Sequence, residues 1–184
     1  MTAHPGFGLR GLLLLVLFAG LVALVSVPQY TKLQEKRLAE EAAAIVQMIA
    51  TTNRMYSLDH QKRWTEGLVH DGCNSSRCAA APGLAPDSPC NLVACKYLAQ
   101  QEWDARKYRF YSLDGTAEPG PGNVCGSFPA LKPWAACTVR KTAADGDAAA
   151  PRFSAGWGYA VSADGVLFAA QTGGGADRTP NPSR

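Results

Sequence analysis

Apolar and polar positions follow three patterns along this chain. From Leu12 to Val27 nearly every position is apolar, and no charged residue lies between Arg10 and Lys32. Coiled into a helix, such a run reaches across the roughly 30 Å hydrocarbon core of a bilayer. It predicts a transmembrane helix over 7–30. From Tyr30 to about Ser57 the pattern turns amphipathic. Leu38, Ala42, Ile45, Ile49, Thr52 and Tyr56 recur at four- and three-residue intervals, which keeps them on one stripe, opposite Lys32, Glu35, Lys36, Arg37, Glu40 and Glu41. Together the two patterns predict one helix that leaves a membrane and enters a soluble domain. From Phe7 to Ser57 it would be on the order of 75 Å long, with a bend where Pro28 removes a backbone donor.

The third pattern is short and strand-like. Residues 59–89 are punctuated by Gly67, Gly72, Pro82, Gly83, Pro86 and Pro89 and read as a connecting region, followed by a short helix over Asn91–Glu102 that carries Leu92, Cys95 and Leu98 inward. Lys107–Leu113 alternates Tyr108, Phe110 and Ser112 against Arg109, Tyr111 and Leu113, the mark of a half-buried strand. Further strands are predicted at Trp134–Lys141, Gly156–Ser162 and Val166–Gln171, the last two joined by the hairpin turn Ala163-Asp164-Gly165. The Gly- and Pro-rich tail 172–184 is expected to be disordered. The fold class is α+β: a long N-terminal helix, transmembrane then amphipathic, packed on a small antiparallel β-sheet. Three or four strands in sequential order form a meander against the stripe Leu38–Tyr56.

A six-residue leader ends in Gly6, Phe7 opens the apolar run, Gly20 lies within it, and Pro28 and Tyr30 close it before the charged amphipathic helix. This set of residues resembles the amino-terminal signature of type IV pilins and type II secretion pseudopilins, over about the first third of the chain. The resemblance implies cleavage after Gly6 by a prepilin peptidase and N-methylation of Phe7. It also implies an inner-membrane assembly platform as partner, and burial of the helix among other pilin or pseudopilin subunits of a filament. It divides the chain into a leader 1–6, a membrane and filament-core helix 7–30, an extracytoplasmic pilin-like domain 31–171 and the tail. Two departures stand out. The leader lacks the family's usual Lys or Arg, and Gly11 stands where most members carry a glutamate that pairs with a neighbour's terminal amine. That second departure points to a minor, tip-located subunit.

Six cysteines, Cys73, Cys78, Cys90, Cys95, Cys125 and Cys137, follow the apolar segment. An even number beyond an export segment predicts disulfides in an oxidising compartment. This places the domain outside the cytoplasm, although Lys32, Lys36 and Arg37 favour the opposite orientation by the positive-inside rule. Metal ligation is the competing use, but the four-residue spacers of the first four cysteines and the lack of a histidine near the second pair, Cys90 and Cys95, weigh against it. Neighbour pairing is expected, Cys125–Cys137 above all.

A formal net charge of +3 is too mild to imply nucleic-acid binding. Arg106-Lys107-Tyr108-Arg109 mixes cations with an aromatic ring as single-strand-binding surfaces do, but reads more simply as a charge-protected strand edge. Asp145-Gly146-Asp147 is a fragment of a calcium loop or a solvated turn. Trp157 and Tyr159 are sugar-stacking candidates whose alternation with Gly158 and Ala160 marks them as core. His60 and His70 stand beside Asp59 and Asp71 with no nucleophile motif in the sequence, so neither an enzyme nor a cofactor or metal is expected. The expected function is a structural subunit of a type IV pilus-like or type II secretion pseudopilus filament. It would be held in the inner membrane by one span before assembly, with its soluble domain periplasmic or extracellular. The alternative is a membrane-anchored extracytoplasmic binding domain that does not polymerise.

Overall fold

The computed structural model describes residues 9–78, 85–115, 125, 133–151, 157–171 and 179–180, with backbone alone at 9–10, 22–28 and 170–171. The chain separates into two units, Met1–Arg37 and Leu38–Arg184.

Helix α1 runs Leu9–Asp59 without a break at Pro28. In the first unit its apolar side chains are exposed, from Leu12 through Phe18 and again at Leu21. Among the described residues, no helix is long and apolar enough to cross a membrane. The span expected at 7–30 therefore has no counterpart here: of its apolar run, the described side chains end at Leu21. Gly6 and Phe7, the expected processing and methylation positions, lie outside the described residues.

In the second unit α1 buries the predicted stripe. Ala42, Ile45, Ile49, Thr52 and Tyr56 are buried, and Leu38 packs at the margin. The buried face is wider than the stripe, because Ala39, Ala43, Val46, Ala50, Asn53 and Ser57 join it. Three of these are alanines, small enough to let another element approach the helix backbone closely.

Among the described residues the sheet has five antiparallel strands in sequential order: β1 (Gly67–Val69), β2 (Tyr108–Ser112), β3 (Trp134–Arg140), β4 (Trp157–Ser162) and β5 (Leu167–Gln171). The meander is as expected. The strand count is higher by β1, which lies inside the stretch read as connection. Three residues, the first a glycine, leave no alternation to detect, and β1 is a strand only because Val69 pairs with Phe110 and Gly67 with Ser112. The short helix α2 covers Cys90–Ala94 rather than Asn91–Glu102. It stops because Lys96 takes φ 65°, a left-handed conformation that ends a helix. Leu98 still turns inward.

Alternation sorts the sheet's two faces. Tyr108, Phe110 and Ser112 on β2 are buried, aligned with Arg140, Thr138 and Ala136 on β3, while Tyr159 and Val161 of β4 continue the same face. The inner cluster joins much of this face to α1, α2 and Trp103. A register shift between Trp134 and Ala136 turns Trp134 to the opposite face. There Leu113, Cys125, Trp134, Cys137 and Ala160 form a second cluster with Tyr111, Val139 and Phe168 at its margin. Tyr159 is core, as its alternation implied, and Trp157 is half-buried.

One polar side chain fixes the helix against the sheet. Asn53, fully buried on α1, donates through Nδ2 to the carbonyls of Thr65, Leu113 and Ala135 at 3.2, 2.9 and 3.0 Å. Its Oδ1 accepts from the backbone N and Oγ1 of Thr65. A single amide thus satisfies groups at the approach to β1, the end of β2 and the start of β3. Of the tail 172–184, Thr179 and Pro180 are described, and the Tyr159 hydroxyl donates to the Pro180 carbonyl. The rest of the tail lies outside the described residues.

Candidate functional site

Two features of the second unit bear on function: the outward face of α1, and the cysteine-bound segment at the far end of that helix.

On α1, the residues turned away from the sheet include Ala44, Met48, Thr51, Met55 and Leu58, spaced at four- and three-residue intervals like the buried stripe. Met48, Met55 and Leu58 rank among the exposed large hydrophobic side chains, and Leu58 is 73% exposed. α1 in this unit is therefore apolar on two faces, one covered and one open. In the sequence only the covered face stands out, because the outward stripe is diluted by Gln47, Thr51 and Arg54.

All six cysteines are paired. Cys125–Cys137 is bridged as expected, with Cα atoms 6.3 Å apart, and closes the outer cluster. The other two bridges cross the expected neighbour pairs. They join Cys73 to Cys90 and Cys78 to Cys95, with Cα separations of 4.5 and 4.6 Å. Cys90 opens α2 and Cys95 caps its end, and five residues of helix rotate a side chain by about 140°, so these two sulfurs face apart. Cys73 lies in the 3-10 turn Asp71–Ser75, and the extended cap at Ser76 carries Cys78 away from it. Cys73 and Cys90 are buried, whereas Cys78 and Cys95 are half-exposed.

His70 stands at this clasp, although no histidine adjoins Cys90 in sequence. Its Nε2 lies 3.8 Å from Cys90 Sγ, and the candidate ligand atoms of His70, Cys73 and Cys90 all fall within 4.8 Å of one another. The metal reading therefore had a third ligand that spacing could not reveal. The geometry opposes it all the same. Both thiols are spent in the bridge, and Nδ1 of His70 accepts from the Gly72 amide at 3.1 Å. Ligation through Nε2 would put a hydrogen on Nδ1, pointing at that N–H.

Neither His-Asp pair forms a dyad. Asp71 Oδ1 accepts from the backbone N atoms of Trp103 and Asp104, and Asp59 accepts from the Tyr97 hydroxyl at 2.7 Å. That hydrogen bond, with burial and the Asp59 charge, pushes the Tyr97 phenol up to about 12. His60 stacks on Tyr56 with ring centroids 4.0 Å apart, and its Nδ1 donates to the Tyr56 carbonyl.

The acidic fragment and the basic one neutralise each other. Asp147 is paired with Arg140 at 2.5 Å and with Lys107 at 2.8 Å, and the Arg140 and Asp147 side chains are only 1% and 4% exposed. Burial works against ionisation of Asp147, but the hydrogen bonds from Lys107 and Arg140 prevail and hold its carboxyl below the ordinary range. Asp145 is also held low, first by the Thr142 backbone N–H and hydroxyl of a capping box, then by Arg109. These carboxylates serve internal cations and a turn rather than calcium. Arg106 pairs with Glu41, and Tyr108 is buried. The segment is no sheet edge either: β2 lies between β1 and β3.

No family model, no curated protein and no solved structure matches the chain.

Proposed function

We propose that this chain is a minor structural subunit of a type IV pilus-like or type II secretion-like filament, made as a membrane-anchored precursor. The observation that carries the reading is the 51-residue helix α1. Its amino-terminal apolar side chains are exposed, and its later turns bury one face under an antiparallel meander while leaving Met48, Met55 and Leu58 open. An exposed apolar area of this kind marks a surface meant for lipid or for another protein chain. The leader ending at Gly6 supplies the cleavage junction, Phe7 the methylated terminus, and the apolar run through Val27 the span held in the inner membrane. Prepilin peptidase and an inner-membrane platform are the partners that act before assembly, and other subunits are the partners afterwards.

The physical logic is exchange of one apolar environment for another. A Leu-rich run buried in lipid, then among neighbouring helices, gains about 25 cal/mol per Å2 in either place, so extraction costs little in the hydrophobic term. The disulfides fit a soluble domain on the oxidising side. Gly11 offers no carboxylate to a neighbour's terminal amine, and Arg10 adds a cation beside it, which suits a subunit that receives no further copy above it.

Mass spectrometry of the chain recovered from membranes tests the reading. A mature terminus at methylated Phe7 is expected. An intact Met1 supports instead a single-pass anchor carrying a binding domain that does not polymerise.

A further inference from the structure

The ring of His70 is wedged between Gly72 and the Cys73–Cys90 bridge. A backbone N–H can only donate, so the Gly72 amide at 3.1 Å makes Nδ1 the acceptor of this ring. The neutral ring's hydrogen is then on Nε2, which faces Cys90 Sγ at 3.8 Å. The ring lies directly over Gly72, where a Cβ would come within 2.7 Å of Cε1 and 2.9 Å of Nδ1, so the glycine is what admits the ring to this position.

The two halves of the clasp are held by contacts that do not need the bridge. Asp71 Oδ1 accepts from Trp103 N at 2.6 Å, Asp71 N donates to Asp104 Oδ2 at 3.1 Å, and Asn74 Nδ2 donates to the Gln101 carbonyl at 2.8 Å. On the other half, Asn91 Nδ2 donates to the carbonyls of Ala85 and Pro86 at 3.0 and 3.1 Å. Cys73, Cys90 and His70 are thus positioned by noncovalent structure, and a Cys90 thiolate formed there accepts the Nε2–H. A hydrogen-bond donor favours the thiolate over the thiol, and it is the thiolate that attacks sulfur.

We propose that Cys90 is the attacking sulfur when the clasp closes, that His70 is the positioning residue which makes it so, and that Cys73–Cys90 closes before Cys78–Cys95. The reaction needs a disulfide oxidant, of the glutathione or protein-disulfide class. With Cys73 first captured by that oxidant as a mixed disulfide, the Cys90 thiolate attacks Cys73 Sγ. The Cys73–Cys90 bond forms, the bond from Cys73 to the oxidant's sulfur breaks, and the electron pair leaves on the oxidant's thiolate. Two protein thiols are oxidised while one oxidant disulfide is reduced to two thiols. Where the chain has first joined its sequence neighbours Cys73 and Cys78, the same attack expels the Cys78 thiolate and frees it to be oxidised onto Cys95. This order of closure does not depend on the filament reading.

The test is reoxidation of the full-length reduced chain in detergent micelles with oxidised glutathione, followed by acid quenching, alkylation and mapping of bridges by mass spectrometry. Cys73–Cys90 is expected to appear before Cys78–Cys95. His70→Ala should slow its closure about tenfold and leave Cys125–Cys137 unaffected. Gly72→Ala, which pushes the ring away, should act in the same direction, and His70→Gln, which returns an N–H near the place of Nε2, should recover most of the rate. The readout that a purely structural role would not move is the iodoacetamide reactivity of Cys90 relative to Cys73 in the reduced chain, which should fall in His70→Ala. Closure of Cys78–Cys95 first, or an unchanged ratio of Cys90 to Cys73 reactivity in His70→Ala, overturns the proposal.

Discussion

Asn53 and Asp147 have opposite histories as residues. Asn53 lies on the inner face of α1 among apolar neighbours, where periodicity offers no reason for a polar side chain. Its reason is three carbonyls more than ten residues away in sequence, and no local pattern reports that. Asn53→Ala leaves the Thr65 and Leu113 carbonyls in the interior without the amide, while Ala135 O keeps the Leu113 N–H, and should cost on the order of 3 kcal/mol in urea unfolding, with the slope unchanged. Asp147 was visible as half of an acidic fragment, but its partners Arg140 and Lys107 lie elsewhere, so the sequence offered calcium or a turn in place of an internal ion pair. Asp147→Asn removes the carboxylate charge that lies 2.5 Å from buried Arg140. The carbonyls of Lys107 and Lys141 still accept from Arg140 Nη1, which puts the expected loss at the low end for a broken buried pair, about 3 kcal/mol. The His70–Cys90 contact was hidden for the same reason, since 20 residues separate the two.

Among the elements, those with a long period were legible and those made by pairing were not. Six evenly spaced positions are enough to set the inner face of α1, alternation gives β2, the hairpin turn gives β4 and β5, and β3 falls where Trp134–Lys141 places it, each nearly to the residue. β1 exists through its partner. The crossed bridges do leave a trace in the sequence: both span 17 residues, as they must when two segments with the same internal cysteine spacing run side by side. The outward stripe on α1 separates fold from function. Met55→Glu and Leu58→Glu remove nothing from the core, so thermal unfolding should move by no more than about 0.5 kcal/mol. If the filament reading holds, the same variants should vanish from sheared filaments while remaining in membrane fractions, and normal incorporation would count against it. β4 supplies a reversal of the usual rule that glycine weakens a strand. A Cβ on Gly158 would lie 2.3 Å from the Thr138 carbonyl oxygen of β3, so Gly158→Ala should lower rather than raise the melting temperature.

For the molecule as a whole, stability should narrow from both ends of the pH scale. Asp145 and Asp147 are held below their ordinary value of 3.8. The stability they contribute is complete above that value and is lost as the pH falls through the depressed folded values. Tyr97 is shifted the other way, from 10.0 to about 12. The folded state holds that proton more tightly, so its contribution is complete below about pH 10 and is lost as the pH rises toward 12. Urea midpoints across the range would show both limbs, with Asp147→Asn flattening the acid one and Tyr97→Phe the alkaline one. The strictly sequential sheet also has a meaning in time. Each strand after β1 pairs with the strand before it, so a chain delivered amino-terminus first always finds the partner of a new strand already made, even where, as between β1 and β2, a long loop has to close. Arrival order and pairing order are the same list, and a chain halted before Leu167 already has partners for every strand it has delivered, with β4 ready as the template for the one still to come.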